Sequence, residues 1–347
     1  MLILRPVAER DLEDLLALAA LLDTMNLPRD PDFLRERIAI SQRSFAAALG
    51  AGEPGPDPRA AVFVFVMEDL SSGHCIGTSL IRAKVGRPGE PYYWLEVSSE
   101  ERRSPELGKR LVHRKLRLCS TEDGPTELGG LVLDPAWRHH PSRCGKALSV
   151  VRFAFIAAHP ELFERELIAE MLSPFQAPGR NLLWDAFGAK FTGLPYRDAD
   201  HLSARTKQFI ADLFPRDPVY ATLFPEEVQR VIGQPGETAK AAVRILEKVG
   251  FHPLNQVDPF DGGPYYGAAR DAIVPVRERR ELVLPGEPAA LETHSDAPLA
   301  LLSTEGQLGF RSTVVPLDPE GAPQVSAECR KALGVDSGDR VSVTPLP

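Results

Sequence analysis

Residues 131–153 read LVLDPAWRHHPSRCGKALSVVRF. The stretch opens as an apolar strand and passes through a loop carrying Arg138, His139, His140, Arg143 and Lys146. It closes in a helix that is apolar almost all round. A helix without a polar face must be covered on every side, so it belongs inside a layered fold. The loop adds a second constraint. The first turn of a helix leaves N–H groups unpaired and carries partial positive charge, so strand, cationic loop and helix N-terminus together can hold a phosphate. Such loops are usually rich in glycine, and here Gly145 stands alone. A solvated basic turn answers the same residues.

With 347 residues the chain is long for a single core, and two domains are expected. A net charge of −8 argues against a general nucleic-acid binder, which needs clustered cations. The same charge is compatible with a cationic small substrate. Cys75, Cys119, Cys144 and Cys329 form no CxxC pair and show no zinc-ligand spacing, so free thiols and no metal site are expected. The opening MLILRPVAERDLEDLL places charges directly after a short apolar run, unlike a secretory signal. No apolar run is long enough to span a bilayer. A cytoplasmic protein is expected, with no membrane partner.

LILRPVA reads as a strand, and ERDLEDLLALAALL as a helix with acids at its start. A second helix is expected from Asp32 to Leu49, then a loop over GAGEPGPDP. AAVFVFVMED and CIGTSLIRAKV read as a strand pair turned at SSGH, and PYYWLEVSS as a further strand. ELIAEML reads as a short buried strand and RNLLWDAFGAKF as an amphipathic helix. Helical segments follow to about Lys248, then strands near 251–257 and 265–272. A boundary is placed in the proline- and charge-rich PVRERRELVLPGEPAALETHSDAPLALLS. It divides 1–275 from a small barrel-like β domain over 276–347.

Glycine inside a strand marks a bulge or a close approach, and Gly129 and Gly130 lie within TELGGLVLD. A bulge there turns N–H groups of Leu131, Val132 and Leu133 out of the ladder, where they can hold a carbonyl oxygen as charge develops on it. A plain buried strand beneath a bulky neighbour fits the same spacing. Glu170 stands among Leu167, Ile168, Met171 and Leu172. Apolar surroundings disfavour its charged form and make it a useful base near neutral pH, though a structural salt bridge would also account for it. Glu127 is a second candidate base. Arg138 and Arg143 are candidate partners for an anion. Asp258, Phe260, Asp261, Gly262 and Gly263 form a turn. His139 and His140 read as exposed, and His113 and His201 as lone histidines on helices. Cys144 has no histidine or acid placed to activate it, so no covalent intermediate is expected.

Strand, phosphate loop, packed helix and splayed second strand resemble the core of the GNAT acyltransferase superfamily. The phrases MLILRPVAERDLEDLLALA, VFVMEDLSSGHCIG, ELGGLVLDPAWR, LSVVRFAFIA, LIAEM, VIGQPGETAKAAVRILEKVGF and VDPFDGGP together resemble the arginine N-succinyltransferase family over roughly residues 1–275. The ALGVDSGDRVSVTPLP tail resembles that family's terminal region. The resemblance implies an α+β fold with a mixed, mostly antiparallel sheet flanked by helices. It implies succinyl transfer from succinyl-CoA, a co-substrate rather than a resident cofactor, to the α-amine of arginine. It places the succinyl-CoA contact on Leu131, Val132 and Leu133 and the phosphate loop on Arg138, Arg143, Cys144, Gly145 and Lys146. It makes Asp258, Phe260, Asp261 and Gly262 an acceptor pocket, and it implies assembly from more than one subunit, expected here as a dimer.

Two departures stand out. The family's proton-donor histidine follows its VIGQ phrase, where this chain has Pro235 and Gly236. Arg82 stands where the family tends to carry an acid, and a cation there would disfavour a guanidinium. Another acyl-CoA, another amine such as ornithine, or a non-catalytic CoA-binding subunit remain as alternatives.

Overall fold

Val62, Val64 and Val66 alternate with Phe63, Phe65 and Met67 along one strand, and all six are buried. A strand apolar on both faces needs a layer on each side. The computed structural model, which describes residues 1–21, 28–52, 57–176, 180–203, 206–286, 288 and 297–347, supplies both layers.

The strands are β1 (Leu2–Pro6), β2 (Val62–Asp69), β3 (His74–Arg82), β4 (Tyr92–Ser104), β5 (Lys109–Thr121), β6 (Thr126–Leu133) and β7 (Glu166–Glu170). They continue as β8 (Val219–Tyr220), β9 (His252–Val257), β10 (Pro264–Ala269), β11 (Arg280–Val283), β12 (Leu299–Gly306), β13 (Gly309–Pro316) and β14 (Arg340–Pro345). They form one sheet in the order β11-β14-β12-β13-β1-β2-β3-β6-β7-β10-β9-β4-β5-β8. Among the described residues every named strand pair is antiparallel except β6 with β7. A parallel pair needs a crossover, and the helix of the opening stretch provides it.

Helices α1 (Leu12–Ala19) and α2 (Pro31–Ala48) cover one face. Leu15, Leu34 and Ile38 meet Val62, Val64, Val66 and Leu80 there. The start of α2 is written locally: Asp30 accepts from the N–H groups of Asp32 and Phe33 at 3.0 and 3.1 Å, and Pro31 opens the helix. Helix α3 (Cys144–Ala158) lies on the other face, where Leu148, Val151 and Phe155 join Phe63, Phe65 and Met67. Phe155 has ring centroids of Phe45, Phe63 and Phe310 at 5.1, 4.9 and 5.3 Å. Truncating such a ring to alanine costs about 3–5 kcal/mol.

The segment after residue 275 contributes four antiparallel strands and a helix, Ala327–Leu333. It joins the sheet where Leu4 of β1 faces Ser312 of β13. The loop expected over GAGEPGPDP and the proline-rich boundary stretch fall partly outside the described residues, at 53–56, 287 and 289–296. Two local expectations change. His113 lies on β5, not a helix, and its Nδ1 is 3.1 Å from Thr222 Oγ1. RNLLWDAFGAKF forms two short helices, Leu182–Ala186 and Gly188–Thr192, broken at Phe187, where φ is −125° and ψ −76°.

Candidate active site

The parallel ladder between β6 and β7 is three pairs long: Thr126 with Leu167, Glu127 with Ile168, and Leu128 with Ala169. Beyond Leu128 the strands part, and the β7-facing side of β6 has no ladder partner among the described residues. On its other side β6 pairs with β3, with a register shift between Thr78 and Leu80. Gly130 sits in that shift at φ +57°, and a Cβ on it would lie 2.9 Å from Leu80 Cδ2. The backbone angle favours glycine there, and any side chain would also have to displace the Leu80 methyl. The result is an open wedge with β6 backbone along one wall.

The loop after β6 ends in Arg143, at φ 49° and ψ 49°, the one left-handed non-glycine residue among the described residues. A side chain in that conformation costs roughly 1–2 kcal/mol. The bend closes the first turn of α3: Lys146 and Ala147 donate backbone N–H to Arg143 O at 2.9 and 3.1 Å. No acid lies in that turn to neutralise the helix end.

An outer cavity of about 1240 Å³ opens on this helix end. Leu131, Val132, Leu133, Arg138, Arg143, Gly145 and Lys146 line it, with Leu299, Val314 and Pro316 from the carboxy-terminal segment. Of the residues expected at the phosphate loop, Cys144 alone turns away. It is buried in the core, where desolvation pushes its thiol up to about 11. Lys146 Nζ donates to the carbonyl oxygen of Pro347. Burial, with Lys248 and Arg143 nearby, holds its ammonium below the usual lysine range. His139 is exposed, whereas His140 is half-buried against Trp137, with ring centroids 5.1 Å apart.

An inner cavity of about 550 Å³ shares Leu131, Val132, Thr238 and Ala242 with the outer one, so the two form one cleft. Glu127, Glu170, Asp258, Phe260 and Asp261 line its inner part. Glu127 is held by Arg82, whose Nη1 is 3.1 Å from Glu127 Oε2, so the cation of β3 is answered within the site. Glu170 ends β7, half-buried, with the Tyr265 hydroxyl 3.4 Å from its Oε2. Desolvation, then Asp258, Asp261 and Glu127, push its carboxyl well above the ordinary range, while Lys207 pulls against them.

Asp258 and Asp261 arise from a tight turn. Asp258 Oδ1 accepts from the N–H groups of Phe260 and Asp261 at 2.7 and 3.0 Å, and Asp261 accepts from Ser173 and Gly263 at 3.0 and 2.6 Å. Burial raises both carboxyls, that of Asp261 to about 7. Gly262 does not line the cavity: at φ +78°, with Leu183 Cδ2 2.9 Å from where a Cβ would stand, it turns the chain. Phe260 stacks on Trp184 with centroids 5.1 Å apart. Glu170, Asp258 and Asp261 present oxygens within 4.8 Å of one another. An ammonium, a guanidinium or a divalent cation can meet such a set.

The VIGQPGET segment runs beside the cleft. Gly236 donates N–H to Leu172 O at 2.7 Å, and a Cβ there would lie 2.8 Å from Ser173 O. Its neighbour Thr238 lines both cavities.

Sequence reasoning passed over Tyr92, Tyr265 and Arg152, which also line the inner cavity. The PYYW and PYYG phrases carried the tyrosines, and their aromatic content read as strand propensity alone. Arg152 was hidden by its apolar helix. It is 3% exposed, and burial pulls its guanidinium down to about 9.

The profile of the family described as "Arginine N-succinyltransferase beta subunit" matches residues 2–275. A protein of Citrobacter koseri named arginine N-succinyltransferase is 33% identical over all of this chain and 98% of its own length. One of Photorhabdus laumondii with the same name is 34% identical over the same shares. The solved structure of arginine/ornithine succinyltransferase subunit AI from Pseudomonas aeruginosa superposes with a TM-score of 0.83 at 29% identity, covering 100% of this chain and 99% of that one.

Proposed function

The chain belongs to the arginine N-succinyltransferase family, and from that premise we propose that its cleft moves a succinyl group from succinyl-CoA to the α-amine of arginine. The observation that carries this reading is the continuity of the cleft, from the cationic helix end to the carboxylate cluster, through the split between β6 and β7. The donor enters with its pyrophosphate against Arg138, Arg143 and the first turn of α3. Its thioester carbonyl meets the unpaired β6 backbone near Leu131. The acceptor's positive charge is met by Glu170, Asp258 and Asp261.

Glu170 takes the amine proton. Its raised carboxyl suits it to the task near neutral pH, and Glu127, committed to Arg82, does not compete. The freed amine attacks the thioester carbon, the tetrahedral oxyanion is held by β6 N–H groups, the nitrogen gives its surplus proton to water, and the C–S bond breaks to release the thiolate. The thiolate leaves without the family histidine, since a thiol is acidic enough to leave as the anion (pKa about 8.5). Cys144 takes no part.

The carboxy-terminal portion, residues 276–347, acts as a unit that supplies one wall of the outer cavity. The Pseudomonas relative is described as a subunit, which supports an assembly of more than one chain, here a dimer. A cytoplasmic setting suits the four free cysteines; among the described residues no helix is long and apolar enough to cross a membrane.

Mass spectrometry of L-arginine incubated with the protein and succinyl-CoA tests the reading directly. The expected product carries one succinyl group on the α-amine, with one free thiol released per product. Product with ornithine alone would move the acceptor assignment. Thiol release from acetyl-CoA in place of succinyl-CoA would move the donor. Tight CoA binding with no product from any amine would leave a binding subunit.

A further inference from the structure

Arg152 is a buried cation without an anion. It is 3% exposed, and both of its hydrogen bonds are to its own helix: Nε donates to Ser149 O at 3.1 Å and Nη2 to Ser149 Oγ at 2.9 Å. Nη1 makes no hydrogen bond, and no carboxylate pairs with the group, among the described residues. A guanidinium has five N–H donors, and burying it without a counter-charge is costly. Ser149, itself 1% exposed, holds the group in one orientation.

The other cations of the inner cavity differ. Arg82 has Glu127 at 3.1 Å, Lys84 has Glu164 at 2.7 Å and Arg87 has Asp57 at 3.2 Å, while Lys207 faces the field of Glu170 and Asp258. Arg37, whose Nη1 is also buried without a hydrogen-bond partner, comes from α2 across the sheet and feels Glu127 and Glu36. Arg152 alone comes from the α3 side.

Its position says what could answer it. Arg152 lines the cavity with Leu128 and Ala169, the last ladder pair before β6 and β7 part. It lies seven residues along α3 from Gly145, about 10 Å at 1.5 Å per residue. A donor whose phosphates rest at the helix end and whose thioester lies near Leu131 has its acyl group in the inner cavity, which Arg152 lines.

We propose that Arg152 binds the terminal carboxylate of the acyl group and so selects a dicarboxylic acyl-CoA over a neutral one of the same length. The inference rests on the donor orientation given under Proposed function. It makes Arg152 a specificity-determining residue and Ser149 the positioning residue that aims it.

The test compares succinyl-CoA with butyryl-CoA, which has the same carbon count and no carboxylate. In Arg152→Met, kcat/KM for succinyl-CoA should fall about 10²–10³-fold. For butyryl-CoA it should change less than about threefold, and calorimetry should show unchanged affinity for CoA itself. Arg152→Lys should keep part of the preference, and Ser149→Ala should erode it about 5- to 10-fold. Ser149→Ala removes one hydroxyl and keeps the test open should both Arg152 variants fail to fold. Equal loss on both donors, or a wild-type preference surviving in the variants, overturns the assignment. Wild-type protein that does not prefer succinyl-CoA overturns the donor reading first, and the assignment with it, before any variant is made.

Discussion

The two ends of the cleft share strand β6 but are built from different materials. At the outer end the cavity-lining groups are a helix terminus, a bent loop and exposed cations such as Arg138 and Arg143. At the inner end they are buried side chains: Glu127 and Asp261 at 6% and 2% exposure, with Glu170 and Asp258 beside them. Backbone N–H groups and solvated charges are interchangeable, so the outer end tolerates a loop with one glycine. Buried charges are not, because each alters the protonation of its neighbours. Of the chain's two departures, Arg82 is balanced by Glu127.

That contrast can be broken, and the largest effect is expected at Glu170. Glu170→Gln should lower kcat by about 10²–10⁴-fold at neutral pH, with CoA affinity unchanged by calorimetry. Unaltered turnover would remove Glu170 as the base and blur the distinction between the two ends. The same variant should be more stable than the parent above neutral pH. The native state holds protons on Glu170, Asp258 and Asp261 more tightly than the unfolded chain does. Stability is therefore full at low pH and lost as pH rises through the raised carboxyl range. A melting-temperature gain of about 2–4 °C at pH 8, vanishing near pH 4, would show it.

A smaller effect is expected from pH alone. A cationic acceptor needs ionised carboxylates, and Asp261 is pushed up to about 7. With donor saturating, kcat/KM for the acceptor should fall as pH drops below about 7, by up to roughly tenfold per unit. KM for succinyl-CoA should change less, since the first turn of α3 at the outer end holds no carboxylate. A parallel fall in both would mean that the ends are not electrically separate.

The smallest effect belongs to the loop. Arg143→Gly relieves the left-handed strain and should raise stability by roughly 0.5–1 kcal/mol, the difference between the strain and glycine's entropy. The affinity for CoA should fall only about threefold, because an exposed cation contributes little. A loss of a hundredfold would show that the outer end depends on that one side chain after all.

Much of this geometry is legible in the residues. The change from apolar strand to apolar helix around a basic loop locates α3, and paired glycines inside a strand locate the bulge at Gly130. A lone acid among apolar neighbours singles out Glu170. What escapes is convergence. Asp258 and Asp261 lie some ninety residues from Glu170, and only β10 pairing with β7 brings their turn to it. The hairpin of β4 and β5 escapes too, because EERRSPELGKR is charged on both faces and shows no apolar period. Arg152 escapes for the opposite reason: one polar residue in an apolar helix looks like noise until its lack of a partner is seen.

The union of β1 with β13 carries a consequence for how the chain is made. Leu4 finds β2 early in synthesis but waits for Ser312 to complete its other edge, a separation of most of the polypeptide. A nascent chain on the ribosome thus carries a bare strand edge beside its acyl-transfer core until β13 emerges. Premature termination would leave that edge open to pairing with another copy, so aggregation rather than inactivity is the natural fate of a shortened product.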